Sequence, residues 1–229
     1  MKKIILAVIV MSSLSITAQT KTDLQKHFEK YYQQMKKQGD VQGVLNAMTH
    51  LDVLLPSQAR KDTLAYIYVS EGRNMEALNT IGIEKTGSDS DLNTEIKAIA
   101  LNALGERTRA LEFYNILYNK KPSPIIAYEI ADILLQTGDL AGAQEKVDYG
   151  LANVTDEMRR TYYEQQQPYQ TSLRAGLLYL KAIVTYSEDK DANQEIAIAT
   201  LNRALSLDPN FNMARISKEA LLSRSKGTD

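Results

Sequence analysis

Apolar side chains recur along this chain at helical spacing, in runs separated by short polar turns. In the clearest stretch Leu92, Ile96, Ala98, Ile99 and Leu101 recur at helical spacing. Gly105 breaks that run, as glycine does where the backbone must turn left-handed. A second amphipathic run follows with Ala110, Leu111, Tyr114 and Leu117, then Pro122 stops it and Ser123-Pro124 opens another helix. The pattern therefore predicts helix, tight turn, helix. Its small residues return in phase: Ala65, Ala98 and Ala131 are 33 residues apart, as are Gly72, Gly105 and Gly138, and Ala77, Ala110 and Ala143. Repetition at a fixed period implies stacked units, none of which can bury its own apolar stripe alone.

These residues resemble the tetratricopeptide repeat, which places a small residue within its first helix, glycine in the turn and alanine in the second helix. The phase extends backwards through Gly39 and Leu45 to a more divergent unit at 22–56. It extends forwards to Ala182, Ala197, Leu201, Ala204 and Pro209 in the run ATLNRALSLDPNF. Pro56, Pro122 and Pro209 stand where that family often closes a unit. The resemblance implies an all-α, right-handed helical-hairpin solenoid of about five units over residues 20–229, with 211–224 as a capping helix. Two departures are the period, 33 here against about 34 in the family, and the lack of tryptophan.

The period breaks once. Ala131 and Ala182 are 51 residues apart, 18 more than one period, and the extra material lies around 153–172. That stretch is polar, carries Tyr162, Tyr163 and Tyr169, and is interrupted by Pro168. It reads either as a longer helix or ordered surface loop, or as a partner-contacting insertion, for which tyrosines offer large contact area at low entropic cost. The segment 84–91, rich in Gly and Ser, reads as a loop between units.

Charge and composition narrow the function. Lys2 and Lys3, an apolar run from Ile4 to Ile16 and a Thr17-Ala18-Gln19 exit predict a signal peptide over 1–19 and an exported, periplasmic or secreted protein, in a Gram-negative bacterium. Its removal leaves 25 basic against 28 acidic residues, which argues against nucleic acid. The run is too short for a spanning helix, which takes roughly 20 residues, so no stable membrane span is expected after cleavage. The chain has no cysteine, hence no disulfide framework or thiolate metal site. Its two histidines, His27 and His50, lie in no metal-ligand arrangement, and no phosphate loop or nucleophile elbow occurs. No enzyme activity, cofactor or metal is expected.

In proteins of the resembled family the first helices line an inner groove. Carried over position by position, that lining would be Asp62, Tyr66 and Val69; Glu95, Ile99 and Asn102; Tyr128, Asp132 and Leu135; and Tyr179, Ile183 and Tyr186. Acidic side chains stand at Asp62 and Glu95 where one subfamily holds peptide carboxylates with lysine. The expected partner is therefore a protein or peptide with apolar anchors and some basic charge. The expected role is a non-enzymatic scaffold binding in this groove, with self-assembly as an envelope component the alternative.

Overall fold

The computed structural model describes residues 21–164 and 167–226, so the signal segment expected at 1–19 lies outside the described residues. The chain divides into two compact units, one through Gly82 and one from Ile83. The first holds α1 (Lys21–Gln38), α2 (Val41–Leu54), α3 (Gln58–Ser70) and α4 (Asn74–Ile81). The second holds α5 (Asp91–Ala103), α6 (Arg107–Lys120), α7 (Pro124–Thr137) and α8 (Leu140–Asn153), then β1 (Arg159–Tyr162), β2 (Tyr169–Ser172), α9 (Leu173–Glu188), α10 (Gln194–Leu207) and α11 (Asn212–Lys226). Successive helices pack as antiparallel pairs: α1 on α2, α3 on α4, α5 on α6, α7 on α8, α9 on α10, with α11 against α10. This is the all-α helical-hairpin solenoid that the repeat predicts.

One local structure turns four of the hairpins. Gly39, Gly72, Gly105 and Gly138 all have positive φ, between 72° and 87°. After each, the next N–H reaches back to the carbonyl five residues earlier: Asp40 to Met35, Arg73 to Tyr68, Glu106 to Leu101 and Asp139 to Leu134, at 2.8–3.0 Å. That is the Schellman closure, which satisfies end-of-helix carbonyls and needs a residue without a Cβ. Side chains then start the next helices. Asp40, Ser90, Ser123, Asp139 and Ser172 each accept from the backbone N–H three residues on, removing one unsatisfied donor per helix start.

The phased alanines are the contact points. Ala65, Ala98, Ala131 and Ala182 in the first helices, and Ala77, Ala110, Ala143 and Ala197 in the second, are wholly buried. Larger side chains there would force the paired helices apart. In the first unit the core is Leu45, Met48 and Leu64, with Tyr32, Val44, Ile67 and Tyr68 against it.

The segment 84–91 is the loop expected, and the insertion at 153–172 departs from expectation. At 84–91 the chain is stapled by Lys97 of α5, whose wholly buried ammonium donates to the Glu84 carbonyl at 2.7 Å and to both Asp89 carboxylate oxygens at 2.8 and 2.9 Å. The insertion at 153–172 forms neither a longer helix nor a plain loop. It is an antiparallel hairpin in which Arg159 opposes Ser172, Arg160 Thr171, Thr161 Gln170 and Tyr162 Tyr169. Residues alternate between the two faces of such a ribbon. Tyr162 and Thr171, 8% and 1% exposed, turn inward, while the exposed Arg159 and Gln170 turn out.

Candidate binding groove

The inward face of the hairpin meets α7 and α9. The Tyr162 and Tyr128 hydroxyls lie 2.9 Å apart in a buried hydrogen bond. Room for the pair comes from Gly176 of α9, where an added Cβ would stand 2.7 Å from Tyr162 Oη and 3.1 Å from the Tyr128 ring. Tyr162 also packs on Phe211, and Phe211 on Tyr179, with ring centres 4.9 and 5.6 Å apart. Beside them Arg160 forms an ion pair with Glu129 and lays its guanidinium over Tyr128 at 4.1 Å. The side chains of Arg160 and Glu129 are 25% and 17% exposed. The hairpin thus belongs to the hydrophobic core that also holds Leu173, Leu177, Leu201 and Phe211.

This contact redistributes the expected groove residues. Tyr128 is 2% exposed and faces the hairpin, not an open groove. Tyr179, Tyr186 and Leu135 pack against the same core, and Ile183 is half-buried. Tyr186 also accepts a hydrogen bond from Arg224. Tyr162, expected as a partner contact, is buried. Tyr169 stacks on it at 5.7 Å and donates to Glu164, whereas Tyr163 is 75% exposed. In the first unit Asp62 is buried and accepts from Gln58 at 2.8 Å, Val69 is half-buried, and Tyr66 is 53% exposed. Tyr66 borders a cleft of about 300 Å³ with Val41, Val44 and Ile67.

What stays open in the second unit is a cleft of about 500 Å³. Ile99 and Asn102 of α5, Ile125 and Glu129 of α7, and Arg160 and Tyr163 of the hairpin line it. Ile99 and Ile125 are 37% and 48% exposed, although large apolar side chains elsewhere in these helices are mostly buried. Ile99 and Asn102, expected in the groove, and Tyr163, expected as an insertion contact, are brought together here, while Glu95 is exposed on α5 and Asp132 is half-buried on α7. Arg160, Glu129 and Ile125 were outside the expected set. Glu129 and Ile125 lie on the same helix as Asp132, at offsets from Ala131 that the family comparison does not use.

Arg159 and Arg160 line the cleft on the hairpin side and Glu129 on the helical side. Burial pushes the Glu129 carboxyl above its usual range, and repulsion from Asp132 and Glu95 adds to that despite the Arg160 guanidinium. Burial likewise raises Asp132, although Gln136 donates to it at 3.0 Å. The buried Tyr114 phenol is driven well up, first by desolvation and then by Glu129. Among the described residues, no cluster of three or more histidines, aspartates or glutamates is placed to hold a metal, and no helix is long and apolar enough to cross a membrane.

Helical hairpins turned at phased glycines and closed on phased alanines, with an open face on their first helices, define the tetratricopeptide-repeat fold. No family model matches the chain, and no match was found among curated proteins. Solved structures are similar to it. A tetratricopeptide repeat protein from Parabacteroides merdae superposes with a TM-score of 0.66 at 17% identity, over 86% of this chain and 72% of that one. YrrB, described as a TPR protein with an unusual peptide-binding site, gives 0.61 at 13% identity over 91% and 97%. TTC0263 from Thermus thermophilus gives 0.53 at 14% identity over 86% and 98%. At these identities the shared property is the fold.

Proposed function

We propose that this chain is an exported, non-enzymatic interaction module that holds a peptide or protein segment in the cleft of its second unit. The observation that carries the reading is that three exposed side chains, Ile99, Ile125 and Tyr163, gather around one concave site of about 500 Å³. Concave, mostly apolar sites with a few fixed polar groups are where ligands bind. Glu129, with Glu95 and Asp132 near it, offers a place for basic charge beside the apolar anchors of a partner. The peptide-binding site ascribed to YrrB supports the same use of the fold. Export rests on the Lys2-Lys3 start, the apolar run after it and the small-residue exit at Ala18.

Photo-crosslinking tests the site. A photoreactive side chain at Ile99 or Ile125 should give discrete adducts in envelope extract, and one at the exposed Asn202 on α10 should not. Equal labelling at all three positions refutes the groove. Fractionation of cells with N-terminal sequencing tests export, for which the mature chain should begin near Gln19. Self-assembly through α11, whose Ile216 and Leu222 are 52% and 40% exposed, is the second reading. A constant monomer mass across concentration removes it.

A further inference from the structure

The cleft has one wall unlike the others. Its helical walls satisfy their own backbone, but the third wall is a strand. Arg159, Arg160, Thr161 and Tyr163 line the cleft along β1 and just beyond it. The hydrogen-bond register says which backbone groups face it. The Leu173 N–H donates to the Met158 carbonyl at 2.9 Å, one step before the Arg159–Ser172 pair. Opposed residues in an antiparallel ladder alternate between bonded and non-bonded pairs. Arg160 with Thr171 and Tyr162 with Tyr169 are then the bonded pairs, and the N–H and C=O groups of Arg159 and Thr161 point away from β2. The β2 side of the ribbon, Gln170 to Ser172, borders a separate polar pocket with Leu207 and Asp208, which Arg159 at the start of β1 also reaches. Of the two strands, β1 lines the cleft with Ile99 and Ile125, and no residue of β2 does.

An unpaired strand edge is a template for another extended chain. A helix, its backbone bonds already made within itself, would leave those groups unpaired. We infer that the partner enters the cleft as an extended segment and pairs with the free edge of β1 as a third strand, setting apolar side chains against Ile99 and Ile125 and a basic side chain near Glu129. This deepens the groove reading and rests on it. β1 has four residues at about 3.4 Å each, so the paired segment is short, on the order of four to six residues. Recognition of this kind takes affinity from main-chain hydrogen bonds and specificity from alternate side chains. On the helical side Glu129, with Glu95 and Asp132 close enough to repel it, offers the carboxylate that a basic side chain complements, while Arg159 and Arg160 stand on the strand side.

The test starts from a displayed library of seven-residue peptides selected against the full chain, with the selected peptides then synthesised. They should alternate apolar and basic residues, and Ile99→Glu should abolish their binding. N-methylation at alternate peptide positions removes main-chain donors without touching the protein. One alternating set should weaken binding about tenfold and the other should not, because only one set faces β1. Thr161→Pro, which deletes an outward N–H at an edge where proline is tolerated, should weaken binding by a similar factor. Recovery of no binding peptide, or equal tolerance of N-methylation at every position, overturns the edge pairing. If N-methylation is tolerated while Ile99→Glu still abolishes binding, the groove reading stands and the strand reading falls. If Ile99→Glu leaves binding intact, the groove reading falls with it.

Discussion

The Tyr128–Tyr162 contact makes a sharp statement about stability because each buried hydroxyl hydrogen-bonds the other, 2.9 Å apart, at a site where the residues are 2% and 8% exposed. Tyr162→Phe removes one hydroxyl and leaves the other buried without its partner. Stranding a buried polar group costs about 1–3 kcal/mol. Tyr128→Phe does the same from the other side. The double variant removes donor and acceptor together and keeps both rings, with their packing against Phe211 and Gly176, and replacing both partners by apolar groups of the same shape can be nearly neutral. The double variant should therefore be more stable than either single variant, with a coupling energy close to the sum of the two single losses, about 2–6 kcal/mol. Urea unfolding of the four proteins followed by far-UV circular dichroism measures this, with unchanged slopes confirming the same transition. Two single losses that simply add in the double variant would refute the pairing and, with it, the seating of the hairpin on α7.

Three further substitutions probe other parts of the account. Gly105→Ala places a side chain at φ 83° where the added Cβ meets nothing within 4 Å, so the cost is backbone strain alone, about 1–2 kcal/mol, read as a lowered unfolding midpoint. Gly176→Ala gains about 0.5–1 kcal/mol of helix propensity but drives a Cβ into the tyrosine pair, so it should destabilise overall, and less so when Tyr162 is already Phe. Lys97→Met breaks a buried ion pair and should cost about 3–5 kcal/mol at neutral pH. Burial works to raise Asp89, but its hydrogen bonds from Lys97 and Thr86 outweigh that and hold it below its ordinary value. The stability it contributes is therefore complete above about pH 4 and is lost as pH falls through the folded-state value. The gap between wild type and Lys97→Met should narrow over that acid range. A gap independent of pH would contradict the ion pair.

The helical hairpins are legible because their determinants are local and repeated. A glycine that must adopt positive φ and an alanine that must touch the next helix leave the same mark in every unit, and Gly39, Gly72, Gly105 and Gly138 all close the same turn. The insertion leaves a weaker mark. Its strands are four residues each, too short for alternation to stand out, and the inward Arg160 and Thr171 read as polar surface until Glu129 and Asp208 are seen beside them. Of the positions carried over to the groove, Tyr66 and Ile99 lie uncovered. At Tyr128 and Tyr179 the same positions are covered by Tyr162 and Phe211, which come from outside the repeat. Lys97 left no signal because a lysine within an apolar stripe reads as a solvated edge, and its partner Asp89 lies in a segment that reads as a loop.

Amide hydrogen exchange over residues 158–173 tests the central claim most directly, namely that the insertion is a core element whose β1 edge is left open. The account predicts slow exchange at Arg160, Tyr162 and Thr171, comparable to the buried turns of α9, and fast exchange at Arg159 and Thr161. Uniformly fast exchange across all five would mean a loose surface loop. Protection at Arg159 and Thr161 equal to that of their neighbours would mean that no edge is free.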